Sequence, residues 1–300
     1  MSTVANAYGN FLGNTAPFLS NYAAISSPWG TFVKPGGRIA AYVRSTGAQD
    51  GEDHFAASGL LVTSINEGCK RCRAGMRDIV AVLPGHTETY SSSGAVWANL
   101  VAGTQIIGCG APGGANAPNI TLSHTGASIA LNVADVTLAG FNINSATAAV
   151  TGAIVVTAQG ASLASNFLSF TGALGANAAI TVTGSANFSM TSNYVSGTTT
   201  LALVNVTGAG STNLMIMGNL FLQTNSSGTS ANYVALANTA GISGVVGFNG
   251  GKTAASLTTP GTGFSLDGSS IKGAVLNIEN YCVDADVGTA AVIATGATAA

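Results

Sequence analysis

The sequence predicts an all-β chain: a right-handed parallel β-helix, or solenoid, with an N-terminal capping α-helix and an extended N-terminal arm. Three observations predict it: charge nearly vanishes from the body, an Asn-marked corner recurs every 24 to 31 residues, and one amphipathic stretch precedes the first repeat. Charged residues make up 7% of the chain, where a soluble domain normally spends about a quarter. Asp135 is the only Asp, Glu, Lys or Arg between Glu88 and Lys252, and most of the Lys and Arg residues precede Val80. Such a body is suited to packing and poorly supplied for ionic chemistry.

Residues 1–50 read as an arm and attachment segment, and residues 51–300 as a single β-helix domain, because a long repeat fold can fill that length as one body. The arm lacks sustained periodicity and is punctuated by Pro17, Pro28 and Pro35. Phe11, Phe18, Tyr22, Trp29 and Phe32 make it too apolar for a solvated linker, so it is expected to dock on a neighbour or on its own body. Ile39 to Val43 reads as one short strand before the polar turn Ser45 to Asp53.

Over about 54–74 the period changes. Phe55, Leu61, Ile65, Cys69 and Cys72 can line one helical face. Ser58 or Thr63 can start this capping helix and Gly75 ends it, with Lys70, Arg71 and Arg73 near its negative C-terminal end. The β-branched run Arg77 to Leu83 then reads as a strand stopped by Pro84-Gly85.

Coils follow over about 78–290. Aligned on an apolar-x-x-Asn/aromatic corner, the repeat places Asn142, Asn166, Asn193, Asn219, Asn249 and Asn280 at equivalent positions. Three short strands per coil cannot bury a face alone, so successive coils must stack and pair. Asn suits the corner because it tolerates a left-handed backbone and stacked amides can bond to one another. Small Ala, Ser, Thr and Val are expected to fill a narrow interior. A β-sandwich is the competing all-β arrangement.

The order of a helix, then Ala74 to Gly85, then coil repeats resembles the N-terminal end of pectin-lyase-like β-helix proteins, where an amphipathic helix covers the open coil. More narrowly, Tyr42-Val43-Arg44-Ser45-Thr46-Gly47, the run Pro84 to Thr89 and the run Gln105 to Gly110 resemble pieces of structural proteins of tailed bacteriophages. The resemblance covers about residues 42–145. It implies a pectin-lyase-like parallel β-helix and a virion-associated role.

Candidate chemistry is sparse. Gly108-Cys-Gly110-Ala-Pro-Gly113 matches G-x-G-x-x-G, but Pro112, Gly114 and Pro118 oppose the helix that a dinucleotide site needs, so a loop is expected. Cys69-Lys-Arg-Cys72 has no second cysteine pair to complete a zinc site, and reads as core-facing thiols. Glu279, Asp284 and Asp286 could hold a metal or act on a glycan, yet a solvated C-terminal rim explains them. His54, His86 and His124 form no triad, and His86 beside Glu88 reads as a hydrogen-bonded turn. Phe167 and Tyr194 on adjacent coils could stack sugars, although corner packing also explains them. No catalytic, cofactor-binding or metal residue is assigned, and no cofactor is expected.

The net charge of −2 offers no basic footprint for nucleic acid. The first residues show no secretory signal, and no run reaches the ~18 apolar residues of a membrane helix. The four cysteines do not make a disulfide scaffold, so synthesis in a reducing cytoplasm is expected, which the phage resemblance implies is that of the bacterial host. The expected role is a non-enzymatic virion structural protein, a capsid decoration or cement protein stabilising the phage head. Its expected partners are itself, as a homotrimer, and the major capsid protein or another virion protein. The alternatives are a tail spike or fibre that binds or depolymerises host polysaccharide, and a polysaccharide lyase or hydrolase outside any virion.

Overall fold

The computed structural model describes residues 26–27, 30–31, 37–45, 56–148, 150, 152–175, 177–224, 232–236, 241–253, 264–266 and 275–284. Short strands too narrow to bury a face alone pair in register from coil to coil, building three parallel sheets of ten, eight and seven strands. We call these sheets 1, 2 and 3. One coil contributes a strand to each in turn, as in Gln105–Gly108, Asn119–Leu122 and Ala127–Leu131. The fold is therefore a parallel β-solenoid. The only antiparallel pairing among the described residues joins Ser26–Ser27 to Gly30–Thr31.

The alternation of the strands decides what enters the core. Ala127–Leu131 alternates buried and half-buried along its length, the period-2 signature of a strand with one face inside. Equivalent inward residues stack into ladders. Sheet 1 aligns Ile106, Leu138, Leu163, Met190, Ile216 and Val246, all fully buried. Sheet 3 aligns Ile129, Ile154, Ile180, Val204, Val234 and Phe264 in the same way. The interior thus combines large aliphatics with the Val and Ala expected there, Val204 and Val234 standing in the ladder of sheet 3 and Ala127, Ala153 and Ala179 buried in the same core. Towards the C-terminal end the filling becomes aromatic, with Phe221, Tyr233 and Phe264 packed at centroid distances of 5.7 to 6.2 Å.

The corner between sheets 1 and 2 carries the amides. In Asn166, Asn193, Asn219, Asn249 and Asn280, each Nδ2 donates to the Oδ1 of the next, at 3.0, 3.0, 2.9 and 2.8 Å. Each Nδ2 also donates to a main-chain carbonyl of the preceding coil, such as Leu163 for Asn193. Each Oδ1 in turn accepts a backbone N–H from the coil before, as Asn219 does from Asn193. All these side chains are buried, and their donors and acceptors are spent on one another.

Asn142 is not a member of this ladder. It pairs with Phe167, one residue past the corner, and Phe141 takes the Asn position, its N–H donating to Asn166 Oδ1 at 3.2 Å. The left-handed residue is also not the Asn. Ser165, Ser192, Phe248 and Glu279, each just before a ladder Asn, have φ of 47°, 56°, 53° and 45°. The Asn is there for its amide, and the turn is made by its predecessor.

At the N-terminal end, the capping helix is shorter than the stretch 54–74. It spans Ile65–Lys70, with Ser64 as N-cap accepting from Glu67 N at 3.2 Å. Leu61–Val62 forms a strand on Ile39–Val43 instead, so the apolar spacing reflects two elements. Ile65 and Cys69 are buried against Ala41, Val43 and Val80, and a side chain at Gly68 would meet Val80 Cγ1 at 2.7 Å. The helix therefore closes the core. Ile39–Val43 itself pairs with Ile79–Val82 in sheet 1, so the solenoid begins before residue 51, inside the stretch assigned to the arm. Both faces of this strand are buried, the outer one in a second apolar cluster that includes Tyr42, Ala81, Ile107 and Ala139. Phe11, Phe18, Tyr22, Trp29 and Phe32 lie outside the described residues.

Replacing Asn193 with Ala orphans buried groups on two neighbouring coils and should cost at least about 2 kcal/mol. Asn142→Ala, at the half-buried position outside the ladder, should cost no more than about 1 kcal/mol. Urea denaturation of the two variants checks the contrast, and equal losses would remove the ladder from its proposed role.

Candidate functional site

Three regions concentrate polar or exposed apolar side chains. The first ties the cap to the opening coil. Asp78 is fully buried and accepts from Arg73 Nε and N at 3.0 Å and from Arg73 Nη2 at 2.9 Å. Arg38 adds a backbone N–H at 3.4 Å and an ion pair at 3.6 Å. Burial alone would raise the Asp78 carboxyl, but the Arg73 side chain and the two backbone donors outweigh it and hold the group below the usual carboxylate range. The helix itself ends at Lys70 with Arg71 as its C-cap, and the Arg73–Asp78 bonds fix the segment that follows.

Glu88 does comparable work on the other side. Its Oε1 accepts from Ile65 N, the first residue of the helix, at 2.6 Å. Its Oε2 accepts from the Tyr90 hydroxyl, which accepts from Trp97 Nε1 at 2.9 Å. Burial, reinforced by the Glu88 charge, raises the Tyr90 phenol and keeps it a donor. Buried His86 brings Nε2 to 3.1 Å from Glu88 Oε1, though without hydrogen-bond alignment. Burial also pushes the Cys72 thiol up to about 11 and Cys109 up to about 12, and raises Cys69. Thiols held protonated in this way are poor nucleophiles and poor metal ligands.

The second region is a cavity of about 370 Å³ on the outer face of sheet 2. Thr87, Asn119, Asn142, Asn144, Phe167 and Ser169 line it beneath the turn at residues 109–118. The G-x-G-x-x-G run belongs to that turn and opens no helix. A Cβ at Gly108 would stand 2.3 Å from Gly140 O, so its first glycine answers close strand packing. Gly113 N donates to Asn142 Oδ1 at 2.6 Å and Asn142 Nδ2 donates to Gly114 O at 3.1 Å, anchoring the turn on the sheet. Asn144 Nδ2 donates to Asn119 Oδ1 at 2.5 Å, and Thr121 donates to Asn144 Oδ1 at 3.1 Å. Phe167 stacks on Tyr194 at 4.5 Å and 9°, and Gly113 lies close to the Phe167 ring. These rings are engaged with the protein, so Phe167 is a wall and not an open stacking platform.

The third region is apolar. Met215, Val245 and Leu276 are neighbours in one outward row of sheet 1, and Leu220 and Tyr281 flank Gly250 in a row of sheet 2. Phe248 sits at the corner between them. Met215, Leu220, Phe248, Leu276 and Tyr281 are 40 to 58% exposed, which is unusual clustering for large hydrophobic side chains.

The remaining predicted residues are not gathered into a site. Glu279 is exposed at the corner next to Asn280. Asp284 ends the strand Tyr281–Asp284, whose pairing is described but whose Asp284 side chain is not, and Asp286 and His54 lie outside the described residues. His124 Nδ1 accepts from Gly126 N at 3.0 Å in a turn. Among the described residues no three His, Cys, Asp or Glu converge as a metal centre, and no helix is long and apolar enough to cross a membrane. The sequence reading missed Thr87, Asn119 and Asn144 as cavity residues, and Met215 and Leu276 as patch residues. Only the register between coils aligns them.

The fold places the chain among parallel β-solenoid proteins. No protein-family model, curated protein or solved structure matches it.

Because Asp78 is held below its unfolded value, its stabilisation is present above the ordinary Asp range and is lost as pH falls through the depressed folded value. Wild type should therefore lose more stability than Asp78→Asn between pH 7 and about pH 3, as measured by urea titration at each pH. Parallel losses would contradict the assignment.

Proposed function

We propose that this protein is a non-enzymatic structural component of a tailed-phage particle, a decoration or cement protein on the head. The observation that carries a structural reading is the exposed apolar corner formed by Met215, Leu220, Phe248, Leu276 and Tyr281. A solenoid that buries its core so fully, yet leaves five large apolar side chains exposed on its last three described coils, is suited to being covered by another protein surface. Identical copies and the shell protein are the partners of this reading, and repetition of one modest contact over many copies supplies avidity. The use of Asp78 and Glu88 in holding the cap supports it too, since these carboxylates are committed to architecture. The phage context rests on the resemblance of residues 42–145.

A tail spike or fibre would use the same rod at a different place on the particle. Imaging of purified particles with labelled protein separates the two locations. The paired substitution Met215→Lys and Leu276→Lys, on outward positions, should leave the thermal transition within a few degrees and reduce particle binding at least about tenfold, since two buried charges would oppose the contact. Full binding by this variant removes the apolar corner from attachment. Glycan release by the purified protein would overturn the non-enzymatic reading.

A further inference from the structure

We propose that the N-terminal arm, residues 1–36, lies back along the outer face of sheet 1 and covers the apolar corner of its own chain. The inference rests on the exposed corner and not on the protein's place in a particle; under the attachment reading above, a partner takes the arm's place. Three features argue for it. First, the chain enters the solenoid at the head of the row that the corner ends. Strand pairing carries one outer row of sheet 1 from Ile39 through Ile79, Gln105 and Ser162 to Met215 and Leu276. Met215 is six strands from Ile39 along that row, which is about 29 Å at ~4.8 Å per strand. Trp29 precedes Gly37 by eight residues, about 27 Å of extended chain, and its own side chain spans the remainder. The arm is therefore long enough to reach the corner.

Second, the corner continues a face that is closed at its other end. Ile39, Ile79, Ile107, Ala139 and Ala164 form a buried cluster on the outer face of sheet 1, where the arm joins the solenoid. Further along, Ser189 and Thr191 are half-buried, and Met215 and Leu276 are 40 and 57% exposed.

Third, arm and face match in chemistry. Residues 1–33 contain no Asp, Glu, Lys or Arg, yet carry Phe11, Phe18, Tyr22, Trp29 and Phe32. The outer rows that hold Met215 and Leu220 are free of those charged residues as well. Such surfaces can be joined without desolvating an ion, and burial of apolar area on both sides stabilises the contact. Tethering selects the arm of the same chain, because a short linker supplies an effective concentration of about mM.

Fluorescence of the full-length protein tests this, since Trp29 and Trp97 are its two tryptophans and Trp97 is buried in the core. Subtracting the spectrum of the Trp29→Phe protein isolates Trp29, whose emission should be blue-shifted and shielded from acrylamide. Met215→Lys with Leu276→Lys should raise the quenching of Trp29 at least about threefold, because two desolvated charges would oppose the contact. Thr183→Lys, at an exposed position on sheet 3, should leave it unchanged. Shielding should survive a roughly hundredfold dilution, as an intramolecular contact requires. The converse variant, Trp29→Ser with Phe32→Ser, alters only the arm and should at least about double the binding of an apolar dye to the newly uncovered corner. Thermal unfolding of each variant separates loss of fold from loss of docking, and none of these measurements reads particle binding, so arm docking and attachment stand or fall separately. Free quenching of Trp29 in the wild type, shielding that persists in a folded Met215→Lys, Leu276→Lys protein, or unchanged dye binding by the arm variant would each overturn the proposal. Shielding lost on dilution would overturn it too, by assigning the corner to the arm of a second copy.

Discussion

A buried side-chain amide at five successive corners between sheets 1 and 2 is the constraint on which the stack depends. From Asn166 to Asn280 the amides link five successive coils, each giving and accepting with the coil on either side. A strand of three or four residues has few backbone bonds with which to fix its register, and a one-residue slip would turn every inward Leu and Ile outward. The ladder opposes such a slip, because shifting one Asn leaves buried donors and acceptors unpaired. Where Phe141 replaces the Asn, the ladder ends, and apolar packing takes over at that corner.

The same physics explains the cap. A solenoid has a top and a bottom where ladder groups and core side chains would otherwise face water. Here the six-residue helix Ile65–Lys70 is too short to be stable by itself, so the coil must hold it. Glu88 takes the N–H of Ile65, Asp78 takes the guanidinium and the N–H of Arg73, and Gly68 lets the helix approach Val80. Much of the chain's charge is therefore concentrated at this end, where it performs joining work, while the long body relies on neutral hydrogen bonds and burial.

Surface chemistry follows from the coil geometry. Each outward row of a sheet collects one residue from every coil, so its character can change along the rod. On sheet 2 the row passes from Thr87, Asn119 and Asn142 to Phe167 and Tyr194 and then to Leu220 and Tyr281. One face thus carries a neutral polar cavity near the cap and an apolar corner near the other end. Neither feature is a sequence motif, since neighbours in a row are 23 to 32 residues apart in the chain.

The sequence by itself determined the class of fold. Alternating short runs of Ile, Val and Leu, broken by Gly and Asn at near-regular intervals and almost empty of charge, leave few ways to bury apolar surface other than stacking coils. It also located the ladder at Asn166, Asn193, Asn219, Asn249 and Asn280, because a buried amide must recur once per coil. Tertiary structure alone decided the register that excludes Asn142, the division of residues 56–75 between a strand, a short helix and turns, and the outward rows. The physical reason is that local period reports which face of a segment is buried, whereas cross-coil pairing, cap contacts and surface rows depend on which distant residues become neighbours once the chain has wound.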